Sequence, residues 1–171
     1  RSVRQALREL KPASDDLPLL QWSPRLEEED GTGVRVALID GGVHWRLRVF
    51  EGAQLDVRSF TGDGDLVDAT GHGTRNAALL VGQVPQRLRG LAPGCELLVA
   101  KVLHRDGRAR GDESLAQAIH WATERGADII ALPLGRGPGS ARVTRAVRRA
   151  VQRGCHLYAA AGNRGPEVLA Y

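Results

Sequence analysis

Three short motifs in this chain set groups able to move protons or hold charge beside glycines. The first is Val36-Ala37-Leu38-Ile39-Asp40-Gly41-Gly42-Val43. A carboxylate ending a run of buried apolar residues is costly unless it has a partner, and the glycines let the backbone turn sharply beside it. An acid that merely caps the next loop has the same signature. The second is Thr70-Gly71-His72-Gly73-Thr74-Arg75-Asn76-Ala77-Ala78, with the His at the start of a helix of small residues. Small neighbours allow another chain close to the imidazole, and a helix start fixes the ring, which suits a general base. His44, His104, His120 and His156 lack that setting and read as structural. The third is Ala159-Ala160-Ala161-Gly162-Asn163-Arg164-Gly165-Pro166, placed at the end of a strand expected to be buried. Its small residues keep a cleft floor open, and the Asn163 amide can donate a hydrogen bond to a developing oxyanion.

The elements that must carry these groups alternate in type. Strands are expected over Val34 to Ile39, Glu96 to Val102, Asp128 to Leu132 and His156 to Ala160, and helices over Gly73 to Val81, Glu113 to Glu124 and Ser140 to Arg153. In the last helix Val143, Ala146, Val147, Ala150 and Val151 share one face, and Arg142, Arg145, Arg148, Arg149 and Arg153 the other. This order implies an α/β fold: a parallel sheet, right-handed crossovers and helices on both faces. Chemistry in such sheets collects just beyond the carboxyl ends of the strands, where the motifs are to be sought. Residues 1–33 differ in character, with a short helical stretch, a Pro-punctuated segment and the acidic run Glu27 to Asp30, and read as an arm on a domain spanning 34–171.

An Asp at one strand end, a His at a helix start and an Asn at a later strand end, in that order, resemble the subtilisin-like serine proteases, the subtilases. The resemblance runs from about Gly31 to Tyr171 and includes Gly90-Leu91-Ala92-Pro93 leading into Leu97 to Leu103. It implies a three-layer subtilisin-like fold, incomplete at the C-terminus, and endopeptidase chemistry. By the same resemblance Asp40 orients and supports His72, His72 is the general base toward a nucleophilic Ser, and Asn163 donates to the tetrahedral intermediate. A peptide or protein substrate lies extended between Arg108 to Gly111 and Pro133-Leu134-Gly135, while Ala160, Ala161 and Gly162 wall the pocket before the scissile bond. Arg164 stands at the mouth of that pocket, and Arg108 and Arg110, taken as alternate residues of a flanking strand, share a face.

The chain departs from the family's pattern in several places. The Gly-Thr-Ser nucleophile motif is missing: Ser2, Ser14, Ser23, Ser59, Ser114 and Ser140 have other neighbours. The chain alone is therefore expected to be inactive, with the Ser supplied by a further C-terminal portion of the same domain or by a partner chain. A catalytically silent, peptide-binding subtilase-like module is the alternative. Gly41 stands where the family commonly has a hydroxyl residue, Arg75 where it has a second His, and Pro133 where it often has Ser.

Composition narrows the remaining classes. Of 171 residues, 42% are hydrophobic and 26% charged, enough for one ordinary core, and no apolar run approaches the roughly 20 residues needed to cross a bilayer. No membrane partner is expected. The absence of Met and the opening Arg-Ser-Val-Arg suggest a processed chain. The net charge is +4, and only Lys11 and Lys101 among the 24 basic residues are lysines. Arginines without interleaved aromatics make no stacking platform, so no nucleic acid is expected. No cofactor or metal is expected either: Gly82 to Pro93 carries no acidic residue, and Asp63, Asp65 and Asp68 read as turn and cap residues. Cys95 and Cys155 read as buried free thiols, a single disulfide between them being the alternative. Compartment is not encoded in these features; secretion is the family's habit.

Overall fold

The computed structural model describes residues 29–84, 88–109, 111–135 and 140–162. In chain order these form β1 (Arg35–Asp40), a single 3-10 turn (Arg48–Phe50), β2 (Gln54–Ser59), α1 (His72–Val81), the short strands β3 (Gln83–Val84) and β4 (Leu88–Arg89), β5 (Glu96–Lys101), α2 (Asp112–Glu124), β6 (Ile129–Leu132), α3 (Ala141–Gln152) and β7 (His156–Ala159). The main sheet has the order β2-β5-β1-β6-β7, with every pairing parallel. A separate antiparallel pair joins β3 and β4.

The apolar runs of β1 and β5 are buried on both faces, the pattern of a parallel sheet covered by helices. Ala37 and Ile39 face one cluster with Leu98, Ala118, Ile119 and Ala122, against which Val143 and Val147 of α3 pack. Val36 and Leu38 face the other cluster with Leu97, Val99, Ala77 and Ala78. Helix α1 therefore covers one face and α2 with α3 the other, the three-layer α/β arrangement expected. Leu38, Ile39, Leu97 and Leu98 are at most 1% exposed. Each such side chain contributes about 1.5–3 kcal/mol on burial, so the two central strands form a firm base for what leaves their ends.

Strand β2 was not among the expected strands. Its sequence Gln54-Leu55-Asp56-Val57-Arg58-Ser59 alternates polar with apolar, and Leu55 and Val57 pack on the α1-side cluster. Only two inward apolar residues carry it, a weak signal beside the continuous runs of β1 and β5. In α3, Val143, Ala146, Val147 and Ala150 pack inward as expected, but Val151 is 57% exposed. It lies about 80° round the helix from Val143, beyond the apolar stripe. The outward arginines of α3 form inter-helix ion pairs: Arg142 with Glu113, and Arg149 and Arg153 with Glu124.

The final strand also corrects an expectation. Strand β7 is not buried: Tyr158 is 64% exposed and Ala159, Ala160, Ala161 and Gly162 are all exposed. Among the described residues β7 pairs only with β6, so it is a sheet edge. Residues 1–28 of the expected arm lie outside the described residues. Cys95 and Cys155 are both buried free thiols.

Candidate active site

Strand β1 delivers Asp40 to the site. Alternation along the strand turns its side chain to the α1 side, where it is fully buried. The next strand over, β5, ends in register with it, with Lys101 opposite Asp40. Lys101 is fully buried too, and its ammonium donates to the carbonyls of Gly41, at 3.2 Å, and Val67, at 2.5 Å. It thereby ties the turn after β1 to the loop that leads into α1.

That loop is organised by Asp68, which is 1% exposed. Its Oδ1 accepts from the Thr70 and Gly71 amides and the Thr70 hydroxyl, and its Oδ2 from the Thr74 amide and hydroxyl. Gly71, the residue before α1, sits at φ +78 and offers no side chain, so from outside the helix Asp68 takes the Thr74 amide and the Thr70 hydroxyl takes that of His72. Burial by itself would raise the Asp68 carboxyl, but the donations from Thr74 and Thr70 outweigh it and hold the group below the ordinary 3.8. Asp63 and Asp65 likewise accept from backbone amides two residues on, the turn roles expected of them.

His72 opens α1 with its ring against Asp40. Nδ1 lies 2.9 Å from each carboxylate oxygen, and the side chain is 43% exposed. An ionised carboxylate can only accept, so Nδ1 carries the proton and Nε2 keeps its lone pair. Two further donors reach the same carboxylate: the Gly41 amide to Oδ1 at 2.6 Å and the Asn76 side chain to Oδ2 at 2.9 Å. Asn76 and Lys101 were not foreseen. A polar residue one turn after His72, followed by Ala77 and Ala78, both fully buried, was the available signal for Asn76.

Residues from the expected substrate segments come together around one cavity. A cavity of about 570 Å³ is lined by Leu103, Arg108, Leu115, Leu134, Gly135 and Ala160, among others. The Ala160 amide donates to the Leu132 carbonyl, which anchors the segment after β7 beside Pro133. A Cβ on Gly135 would come 3.5 Å from the Gly162 Cα, and one on Gly107 would come 3.3 Å from Thr70 Cγ2, two residues before His72. Ala161 and Gly162 continue along the exposed edge. Arg108 is not on a strand, contrary to expectation: its carbonyl accepts from His104 and the Gly107 amide returns to His104, closing a tight turn. Gly107 at φ +76 permits that turn. Arg110, Asn163 and Arg164 lie outside the described residues.

A buried carboxylate and an imidazole in contact at the carboxyl end of a parallel strand, in a three-layer fold, define an α/β protein with a candidate site at the sheet's C-terminal edge. Comparison with known proteins narrows that class. The subtilase family model matches residues 31–170, and the chain belongs to that family. It is 35% identical over 108 residues to subtilisin BL of Lederbergia lenta, covering 61% of this chain and 38% of that protein. It is also 35% identical over 114 residues to an intracellular serine protease of Paenibacillus polymyxa, covering 63% of this chain and 34% of the relative. The chain thus spans under two-fifths of the length of these relatives. Among solved structures, the self-cleaved protease domain of PatA superposes with a TM-score of 0.71 at 32% identity, covering 82% of this chain and 54% of that one. A cold adapted subtilisin-like serine proteinase superposes with a TM-score of 0.68 at 28% identity, covering 79% and 48%.

Proposed function

We propose that this chain carries the acid and base of a subtilase-type serine endopeptidase, with Asp40 as the orienting acid and His72 as the general base. The observation that carries the reading is the Asp40–His72 contact at 2.9 Å on a fully buried carboxylate, with the imidazole half-open on its other side. In the working enzyme Nε2 takes the proton of a serine hydroxyl as the oxygen attacks the substrate carbonyl, then returns it to the leaving amine. Asp40 holds the tautomer and offsets the charge of the transient imidazolium. Asn163 is assigned the oxyanion donation, and the cavity beside Leu134 and Ala160 takes a side chain of an extended peptide.

The nucleophile is assigned to a segment or partner chain that docks on the open edge of β7. The exposure of Tyr158 and of Ala159 to Gly162 supports that placement, since an unpaired parallel edge with a large exposed ring is a template for another strand. Among the described residues no serine meets His72: Ser59 bonds Thr61, Ser140 caps α3, and Ser114 Oγ is buried on α2 with no hydrogen-bond partner. This same observation favours the second reading, a silent peptide-binding module. A serine-reactive fluorophosphonate decides between them. The chain alone should stay unlabelled, and the form that includes the β7-docking segment should label in a His72-dependent way. A longer form that binds peptide yet never labels would establish the silent module instead.

A further inference from the structure

The Asp40 carboxylate is fully buried, so both of its oxygens need donors, and the structure supplies them from different elements. Oδ1 takes the Gly41 amide at 2.6 Å, and the two oxygens share the His72 Nδ1–H at 2.9 Å each. The remaining donor to Oδ2 is the Asn76 side chain at 2.9 Å. A carboxylate that only accepts requires the amide to face it with its NH2, so the chemistry determines the Asn76 orientation. Asn76 Nδ2 also lies 3.3 Å from His72 Nδ1. With Nδ1 protonated, that is a contact between two donors converging on one acceptor. Both come from the same face of α1, one helical turn apart.

We propose that Asn76 is a positioning residue for the base. It stops the Asp40 carboxylate from rotating about its Cβ–Cγ bond, so that both oxygens stay turned to Nδ1 and the imidazole keeps the tautomer with Nε2 open. Without Asn76 the one donor left besides the His72 ring itself is the amide of the neighbouring Gly41, on Oδ1. The proposal rests on the reading of Asp40 and His72 as acid and base.

Two variants separate a donor from a space-filler. Asn76→Leu keeps the branching at Cγ and loses the donor, whereas Asn76→Ala loses both. In the 15N-labelled chain, the far-downfield His72 Nδ1–H proton should exchange with water about 10-fold faster in both variants, the scale of one hydrogen bond to a charged group. Thermal melting of Asn76→Leu should stay near that of the wild type. In the nucleophile-bearing enzyme kcat should fall about 10-fold in both, with KM unchanged. If Asn76→Leu behaves as wild type while Asn76→Ala does not, Asn76 only fills space and the proposal is overturned. Unchanged exchange in both variants overturns it too, and either result leaves the Asp40–His72 couple standing. A wild-type chain with no protected Nδ1–H removes the couple and the proposal together.

Discussion

Gly73 lies against the turn that follows β1: a Cβ there would sit 2.3 Å from the Gly42 carbonyl oxygen and 3.1 Å from the Asp40 Cγ. The glycine after His72 thus admits backbone and carboxylate from β1, which is how the imidazole reaches Asp40. Gly73→Ala should force the start of α1 away from that turn. Overpacking of this kind typically costs about 1–3 kcal/mol, so the melting midpoint should fall and the protected His72 Nδ1–H should be lost. Retention of both would mean that α1 can shift without cost.

Asp68 gives a pH signature. Its folded-state carboxyl lies below 3.8, so it contributes stability that is fully present above the unfolded value and is lost as pH falls through the lower folded value. Asp68→Asn loses the charge and one acceptor atom while keeping the shape, and should destabilise at neutral pH by about 1–3 kcal/mol. The gap between wild type and variant in urea unfolding should then narrow as pH drops below 3.8. A gap independent of pH would mean the charge on Asp68 contributes nothing.

His72 and Asn163 are assigned different parts of the reaction, so their losses should be unequal. Removing an oxyanion donor typically costs about 100- to 1000-fold in kcat, and removing the base costs more. In the nucleophile-bearing enzyme, Asn163→Ala should leave measurable turnover of a fluorogenic peptide where His72→Ala leaves almost none. Equal turnover for wild type and both variants would show the site to be elsewhere.

Arg108 lines the cavity at the turn closed by Gly107. An exposed guanidinium there should favour acidic side chains in a peptide library by about 2- to 5-fold at low salt, fading as ionic strength rises. Arg108→Glu should reverse the preference. A profile indifferent to both salt and Arg108→Glu would make this arginine a solvent-facing bystander.

The thiols should be silent. Burial pushes Cys95 up to about 11, and it also raises Cys155. Few thiolates exist at neutral pH, and access is closed. The folded chain should react slowly with a disulfide reagent at pH 7 and release two equivalents per chain once unfolded in denaturant. Rapid reaction of the folded chain would mean that the region around one of them opens readily.

Much of this protein is written in local patterns. The unbroken apolar runs of β1 and β5, the amphipathic spacing of α2 and α3, and the glycines around Asp40 and His72 determined a parallel α/β sheet and the ends at which its polar groups emerge, because period and turn chemistry are properties of neighbouring residues. What no local pattern contains is which polar atoms meet. Asp40 and His72 are 32 positions apart, and their contact exists because β1 ends beside the start of α1 and because Asp68 holds that start in place. The donations of Asn76 to Asp40 and of Lys101 to Gly41 cross 36 and 60 positions, and the exposure of Tyr158 follows from β7 having a neighbour on one side only. A buried charge is tolerated only where several distant segments bring donors to it together, and that convergence is decided by the packing of strand on strand and helix on sheet.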